Sequence, residues 1–199
     1  PLPPKRAGAR TTMIRPAAVA ILDESTLLAR ARDGDGASFE ELMRRHRASA
    51  YRLAYRIMGS EPDADDVVQE SFLAAWRGIG GFRGAASFSS WMYRIVVNRC
   101  SNLTRRRTPP VDVELLAETQ PAPERDSPER RVEGNAALDA LRRALAQLTI
   151  GQRACWILRE LHHLSYPEIA QVVGASPTVV RGRLARARTD LAEAMQAWR

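Results

Sequence analysis

Apolar residues recur at helical spacing through most of the chain, and alternation of period two is absent. Leu27, Leu28 and Ala31 mark a short helix ending near Gly34. Phe39, Leu42, Met43, His46, Ala50, Leu53 and Ile57 follow at helical spacing as far as Gly59, with Ser38 and Glu41 reading as a capping box. Pro62 and the acids Asp63, Asp65 and Asp66 open a third helix, whose buried face is Ala64, Val67, Val68, Phe72, Ala75 and Trp76. After the glycine-dense loop 78–84, a helix over about 88–105 turns Trp91, Ile95 and Leu103 inward and ends in Arg105, Arg106 and Arg107. Further on, Leu138, Leu141, Leu145 and Leu148 form one seam, and Thr149 with Gln152 caps a helix through Cys155, Ile157, Leu158 and Leu161.

The last 36 residues carry the clearest local signals. Ser165 and Glu168 form a capping box, Leu164 and Ile169 a hydrophobic staple, and Pro167 stands in the first turn, where its missing N–H costs nothing. Gly174 stops that helix, and Ser176 and Pro177 open the next. Two short-looped helices of this kind read as a helix-turn-helix. On the second helix Val180, Leu184, Ala187, Leu191 and Met195 fall on one side. Thr178, Arg181, Gly182, Ala185 and Arg186 fall away from it, leaving a small, basic face that suits a DNA major groove.

The expected architecture is all-α: two small helical domains joined by a flexible linker, the second containing the helix-turn-helix. The expected boundaries are a disordered extension over 1–22, a first domain over 23–107, a linker over 108–127 and a second domain over 128–199. Pro109, Pro110, Pro121 and Pro123 forbid a continuous helix across the linker.

Charge sharpens the reading. A net charge of +7 with 30 Lys and Arg against 23 Asp and Glu favours a polyanionic partner. The two cysteines make no disulfide framework, so a reducing cytoplasm is expected. No apolar run approaches the roughly 18 residues of a membrane span, so no membrane insertion is expected. The three histidines stand at no metal-ligand spacing with the cysteines, and His162 and His163 read as solvated loop residues. The acids that open the third helix stand alone as potential ligands, so neither an enzyme, a metal site nor a cofactor is expected. A stand-alone helix-turn-helix repressor or activator is the alternative; it would need a dimer interface or a sensor domain, and the sequence displays neither.

Three stretches together resemble the extracytoplasmic-function (ECF) group of bacterial RNA polymerase sigma factors. DADDVVQESFLAAW (63–76) is similar to the family's core-polymerase-binding helix, and FRGAASFSSWMYRIVVN (82–98) to its −10 promoter segment. LSYPEIAQVVG with VVRGRLARAR (164–188) is similar to its −35 helix-turn-helix. The resemblance implies a subunit that binds core RNA polymerase, through the largest-subunit coiled coil and the flap, and directs initiation at promoter DNA, usually under an anti-sigma factor. It implies Asp66, Gln69 and Glu70 as core-binding residues. It implies Phe82, Arg83, Ser87, Trp91, Arg94 and Asn98 at the −10 element, with residues 82–87 and Asn98 around a base flipped from the duplex. It implies Thr178, Arg181, Arg183, Arg186 and Arg188 at −35 DNA. Gly182 departs from the family, which usually has serine there, so one hydroxyl contact to DNA is absent.

Overall fold

The computed structural model describes residues 19–107 and 136–196. The expected linker therefore lies outside the described residues, as does most of the N-terminal extension. Among the described residues, four helices build most of the first domain: α1 (Glu24–Arg32), α2 (Gly36–Met58), α3 (Glu61–Gly78) and α4 (Phe88–Arg107), with a 3-10 turn, Ile79–Gly81, between the last two. Four more make the second: α5 (Ala136–Gln147), α6 (Ile150–Glu160), α7 (Tyr166–Val173) and α8 (Pro177–Ala194). No strand occurs among the described residues.

Several local expectations hold at the atomic level. Thr149 and Ser165 are N-caps, and both capping boxes close reciprocally with Gln152 and Glu168. Gly174 ends α7 in the left-handed region at φ 65°, and Ser176 accepts the Val179 N–H at the start of α8. Others fail for stated reasons. Asp35, not Ser38, caps α2, because its carboxylate reaches both the Ala37 N–H and the Ser38 hydroxyl. Glu41 is then left to bind Arg44 and Arg45 at 2.7 Å. Arg45 also donates to the carbonyls of Ala20 and Leu22. With Val19 buried in the first-domain core, this fastens residues 19–22, which the sequence assigned to a disordered extension. Trp76 is 41% exposed rather than buried, and Leu138, expected in the seam of α5, is 49% exposed; Ala140 and Ala144 are buried there instead.

Asp63 is buried and pairs with Arg107, so the acidic start of α3 clamps the basic end of α4 and closes the first domain. The two domains then share one core. Leu53, Ile57, Val67, Val96, Val97 and Cys100 from the first domain and Ala154, Ile157, Leu158, Ile169 and Val172 from the second form a continuous apolar cluster. Within it α2 packs against α6, and α4 packs against both α6 and α7. The first helix of the helix-turn-helix thus rests on the helix that carries Arg94 and Asn98.

Glu41 gives a measurable consequence. Hydrogen bonds and charge from Arg44 and Arg45 hold its carboxyl at about 2. A depressed carboxylate stabilises the fold above its ordinary value of about 4.5, and that contribution is lost as pH falls toward 2. Urea unfolding followed from pH 6 to pH 2.5 should show this component in the wild type and show it missing in Glu41→Gln.

Candidate nucleic-acid and polymerase interface

The recognition helix α8 is built as its sequence pattern requires. Val180, Leu184, Ala187 and Leu191 are buried against α5, α6 and α7, while Thr178, Arg181, Gly182, Ala185 and Arg186 are exposed. An added Cβ at Gly182 would meet nothing within 4 Å, so the outer face is open for close approach. Arg183 departs from expectation. It is half-buried, and its guanidinium lies over Gly151, where an added Cβ would sit 3.1 Å from Cζ. It also sits beside the Cys155 thiol, whose pKa burial raises and Arg183 partly lowers. With no side chain on α6 at Gly151, there is room for the arginine to pack onto its own domain. Arg188 is exposed and pairs with Glu160 of α6 at 2.8 Å.

The expected −10 residues divide into two groups. Arg94 and Asn98 stand exposed one turn apart on α4, and half-buried Trp91 lies one turn before Arg94 on the same face. Arg83 is exposed in the loop beside Gly84, which takes φ 72°. Phe82 is not available at the surface. It is 8% exposed, with ring centroids 5.9 Å from Phe88 and 5.4 Å from Trp91. A loop with four glycines in seven residues has little other apolar content, so its one aromatic anchors it to the core. Ser87 is exposed, yet its hydroxyl accepts the Ser90 N–H at 3.1 Å and caps the start of α4.

Asp66, Gln69 and Glu70 come together on the outside of α3 and line a groove of about 320 Å³ between α3 and α4. Leu73, Arg99, Asn102 and Arg106 complete its walls. Glu70 is loosely held by Arg99 at 3.4 Å and stays 55% exposed, so the groove joins an acidic ridge to a basic one over an apolar floor. No helix among the described residues is long and apolar enough to cross a membrane.

Residues 42–109 match the family description Sigma-70 region 2, and residues 138–191 match Sigma-70, region 4. The fold is therefore that of a two-domain sigma factor. The chain is 36% identical over 174 residues to the ECF RNA polymerase sigma factor SigM of Mycobacterium tuberculosis strain H37Rv, covering 85% of this chain and 83% of that protein. It is 32% identical to the RNA polymerase sigma-H factor of Pseudomonas aeruginosa, covering 87% and 94%. Among solved structures, CnrH in complex with the cytosolic domain of CnrY superposes with a TM-score of 0.63 at 29% identity, covering 87% of this chain and 97% of that one. This chain belongs to the ECF group of RNA polymerase sigma factors, which direct promoter-specific transcription initiation.

The sequence reading missed His162. It is not solvated: its Nδ1 lies 3.0 Å from the Tyr93 hydroxyl of the first domain, and Nε2 is buried. The signal available was weak, a histidine adjacent to another in a turn.

The placement of Phe82 is testable. If its ring holds the loop to the core, Phe82→Ala should destabilise the protein by roughly 3–5 kcal/mol, the usual cost of emptying a buried aromatic site. Chemical denaturation measures this; a change below about 1 kcal/mol would return Phe82 to the surface role first expected of it.

Proposed function

We propose that the −35 element is read by Thr178, Arg181 and Arg186 of α8, and the −10 element by Arg83, Trp91, Arg94 and Asn98. The core-polymerase contact falls on Asp66, Gln69 and Glu70. The observation that carries this is the division of α8: one side is wholly apolar and buried, the other is small, basic and open. The N-terminal part of such a helix lies deepest in the groove, where Thr178 and Arg181 stand. Arginine forks match guanine edges there, and each bidentate contact discriminates by about 1–3 kcal/mol. Asn98 has a donor and an acceptor in one amide, which suits an unstacked base edge. An exposed carboxylate and carboxamide at Glu70 and Gln69 suit a basic or amide-rich protein helix.

The solved relative named CnrH is held by the cytosolic domain of CnrY. By analogy, a protein inhibitor of the anti-sigma kind acts on this chain, and the protein works in the cytoplasm. The assay for the main reading is transcription in vitro by core polymerase with this protein added, with the transcripts sequenced. Defined start sites that depend on the protein support it; no gain over core polymerase alone would end it.

Within that assay the arginines of α8 separate. Arg186→Ala should change the ranking of −35 variants. Arg183→Ala should leave the ranking intact and instead lower thermal stability, because Arg183 packs on α6. Holoenzyme binding to a library of −35 sequences at two salt concentrations distinguishes base contacts from phosphate contacts, which alter the salt slope without altering rank.

A further inference from the structure

The seam between the two domains holds two polar devices inside an aliphatic core. The first is Arg153 of α6, 2% exposed. Its Nη1 donates to the Ile57 carbonyl at 2.5 Å, and its Nη2 donates to the carbonyls of Ala146 at 2.7 Å and Leu148 at 3.2 Å. Ile57 and Ala146 are the penultimate residues of α2 and α5, so the cation rests on the negative ends of two helices, one from each domain. The second is His162, in the turn between α6 and α7. Its Nδ1 meets the Tyr93 hydroxyl of α4, which in turn lies 2.6 Å from the Ser49 hydroxyl of α2. The two rings pack edge to face at 4.7 Å. The charged groups facing His162 are Arg52 and Arg56 of α2 and the neighbouring His163, with Tyr93 from α4. His162 Nε2 is buried with no hydrogen-bond partner.

The closed seam conflicts with promoter binding, and here the inference rests on the function proposed above. The −35 and −10 elements are separated by about 25 base pairs, roughly 85 Å of duplex at 34–36 Å per turn. A compact chain of 199 residues has a radius of gyration near 16 Å, hence a diameter of roughly 40–45 Å. With α7 seated on α4, the two reading surfaces cannot reach both elements at once.

We propose that the closed seam is a resting form of the free protein, pinned by Arg153, and that protonation of His162 releases it. A protonated imidazole carries two N–H donors, and the seam offers an acceptor to only one of them. The second donor would be buried unpaired with two guanidiniums facing it. Burial, then Arg56, Arg52 and His163, push the pKa of His162 down from 6.5 to about 4. In the opened form the ring regains water and its ordinary value. The open form therefore binds the proton more tightly. The histidine's contribution to closure is complete above about pH 6.5 and declines as pH falls toward 4. From pH 7.5 to pH 5.5 the open-to-closed ratio rises roughly tenfold. Arg153 keeps its charge throughout this range and sets the level from which the ratio moves.

Cys100 reports opening. It is fully buried in the shared core, close enough to Arg153 to feel its charge. The test uses the full chain in a Cys155→Ala background, which leaves Cys100 as the single thiol. Its rate of reaction with an aromatic disulfide reagent is divided at each pH by the rate for the urea-unfolded chain, which removes thiolate ionisation. The expected result is a rise of about tenfold in this normalised rate from pH 7.5 to 5.5, absent in His162→Gln, with circular dichroism unchanged. Arg153→Met should raise the rate at both pH values and keep the ratio between them; if that variant does not fold, Tyr93→Phe, which removes the acceptor, should likewise raise the rate at pH 7.5. A flat wild-type profile, or an equal rise in His162→Gln, would overturn the proposal. Transcription with core polymerase at pH 7.5 is scored separately, so a failed latch with active protein leaves the sigma-factor reading standing.

Discussion

A guanidinium in an aliphatic core needs acceptors, and Arg153 places its two terminal nitrogens on the carbonyls of Ile57, Ala146 and Leu148 while its Nε stays buried without a partner. No carboxylate offsets it in these contacts. Two helix C-termini do, each presenting orphan carbonyls and a partial negative charge. Burial nonetheless lowers its pKa from 12.5 to about 10. Hydrogen bonds to charged groups contribute about 1.5–3 kcal/mol each, and a desolvated cation left without them is costly. The three carbonyls therefore fix where α6 lies relative to α2 and α5. Because α6 carries α7 and α8 against its flank, the same contacts fix the helix-turn-helix relative to the first domain.

That constraint explains how one small domain serves two surfaces. The apolar residues of α7 face inward, toward α4 and α8, while Glu168 and Gln171 stay outside. The buried stripe of α8 closes on α5, α6 and α7, so its basic stripe must point away from the shared core. On the other side, Trp91, Arg94 and Asn98 follow one face of α4 while Val96, Val97 and Cys100 enter the core. Recognition faces and seam are thus opposite sides of the same helices. A packing change at the seam alters the separation of these two outward faces without altering the faces themselves.

The sequence made legible what is decided locally. The capping boxes at Thr149 and Ser165, the left-handed stop at Gly174 and the buried stripe Val180, Leu184, Ala187 and Leu191 all rest on residues within about three turns of one another. What it hid is decided at long range. Arg153 stands among apolar residues of α6, and nothing near it in sequence marks its role, because its partner Ile57 is 96 positions away. His162 reads as a loop residue because Tyr93 is 69 positions away. Ser38 and Glu41 have the spacing of a capping box, but a stronger acceptor at Asp35 takes the cap and two arginines take the glutamate. Arg183 is a related case: the resemblance implied it at −35 DNA, and its packing over Gly151 on α6 is set by a residue 32 positions away. The two domains were visible in the pattern; their common core was not, since each contributes a surface that is amphipathic enough to close by itself.

A closed form with a shared core and an open form that spans a promoter differ most in the separation of the two domains. The direct measurement is the distance between spin labels at Glu40 and Glu193, both exposed and on different domains, by pulsed dipolar spectroscopy. In the free protein near pH 7.5 a single short distance is expected, within the roughly 40–45 Å diameter of a compact chain. In the holoenzyme–promoter complex the expected distance is close to the roughly 85 Å between the two elements. The same short distance in both states, or a broad, long distribution in the free protein, would rule out a closed form that opens on the promoter.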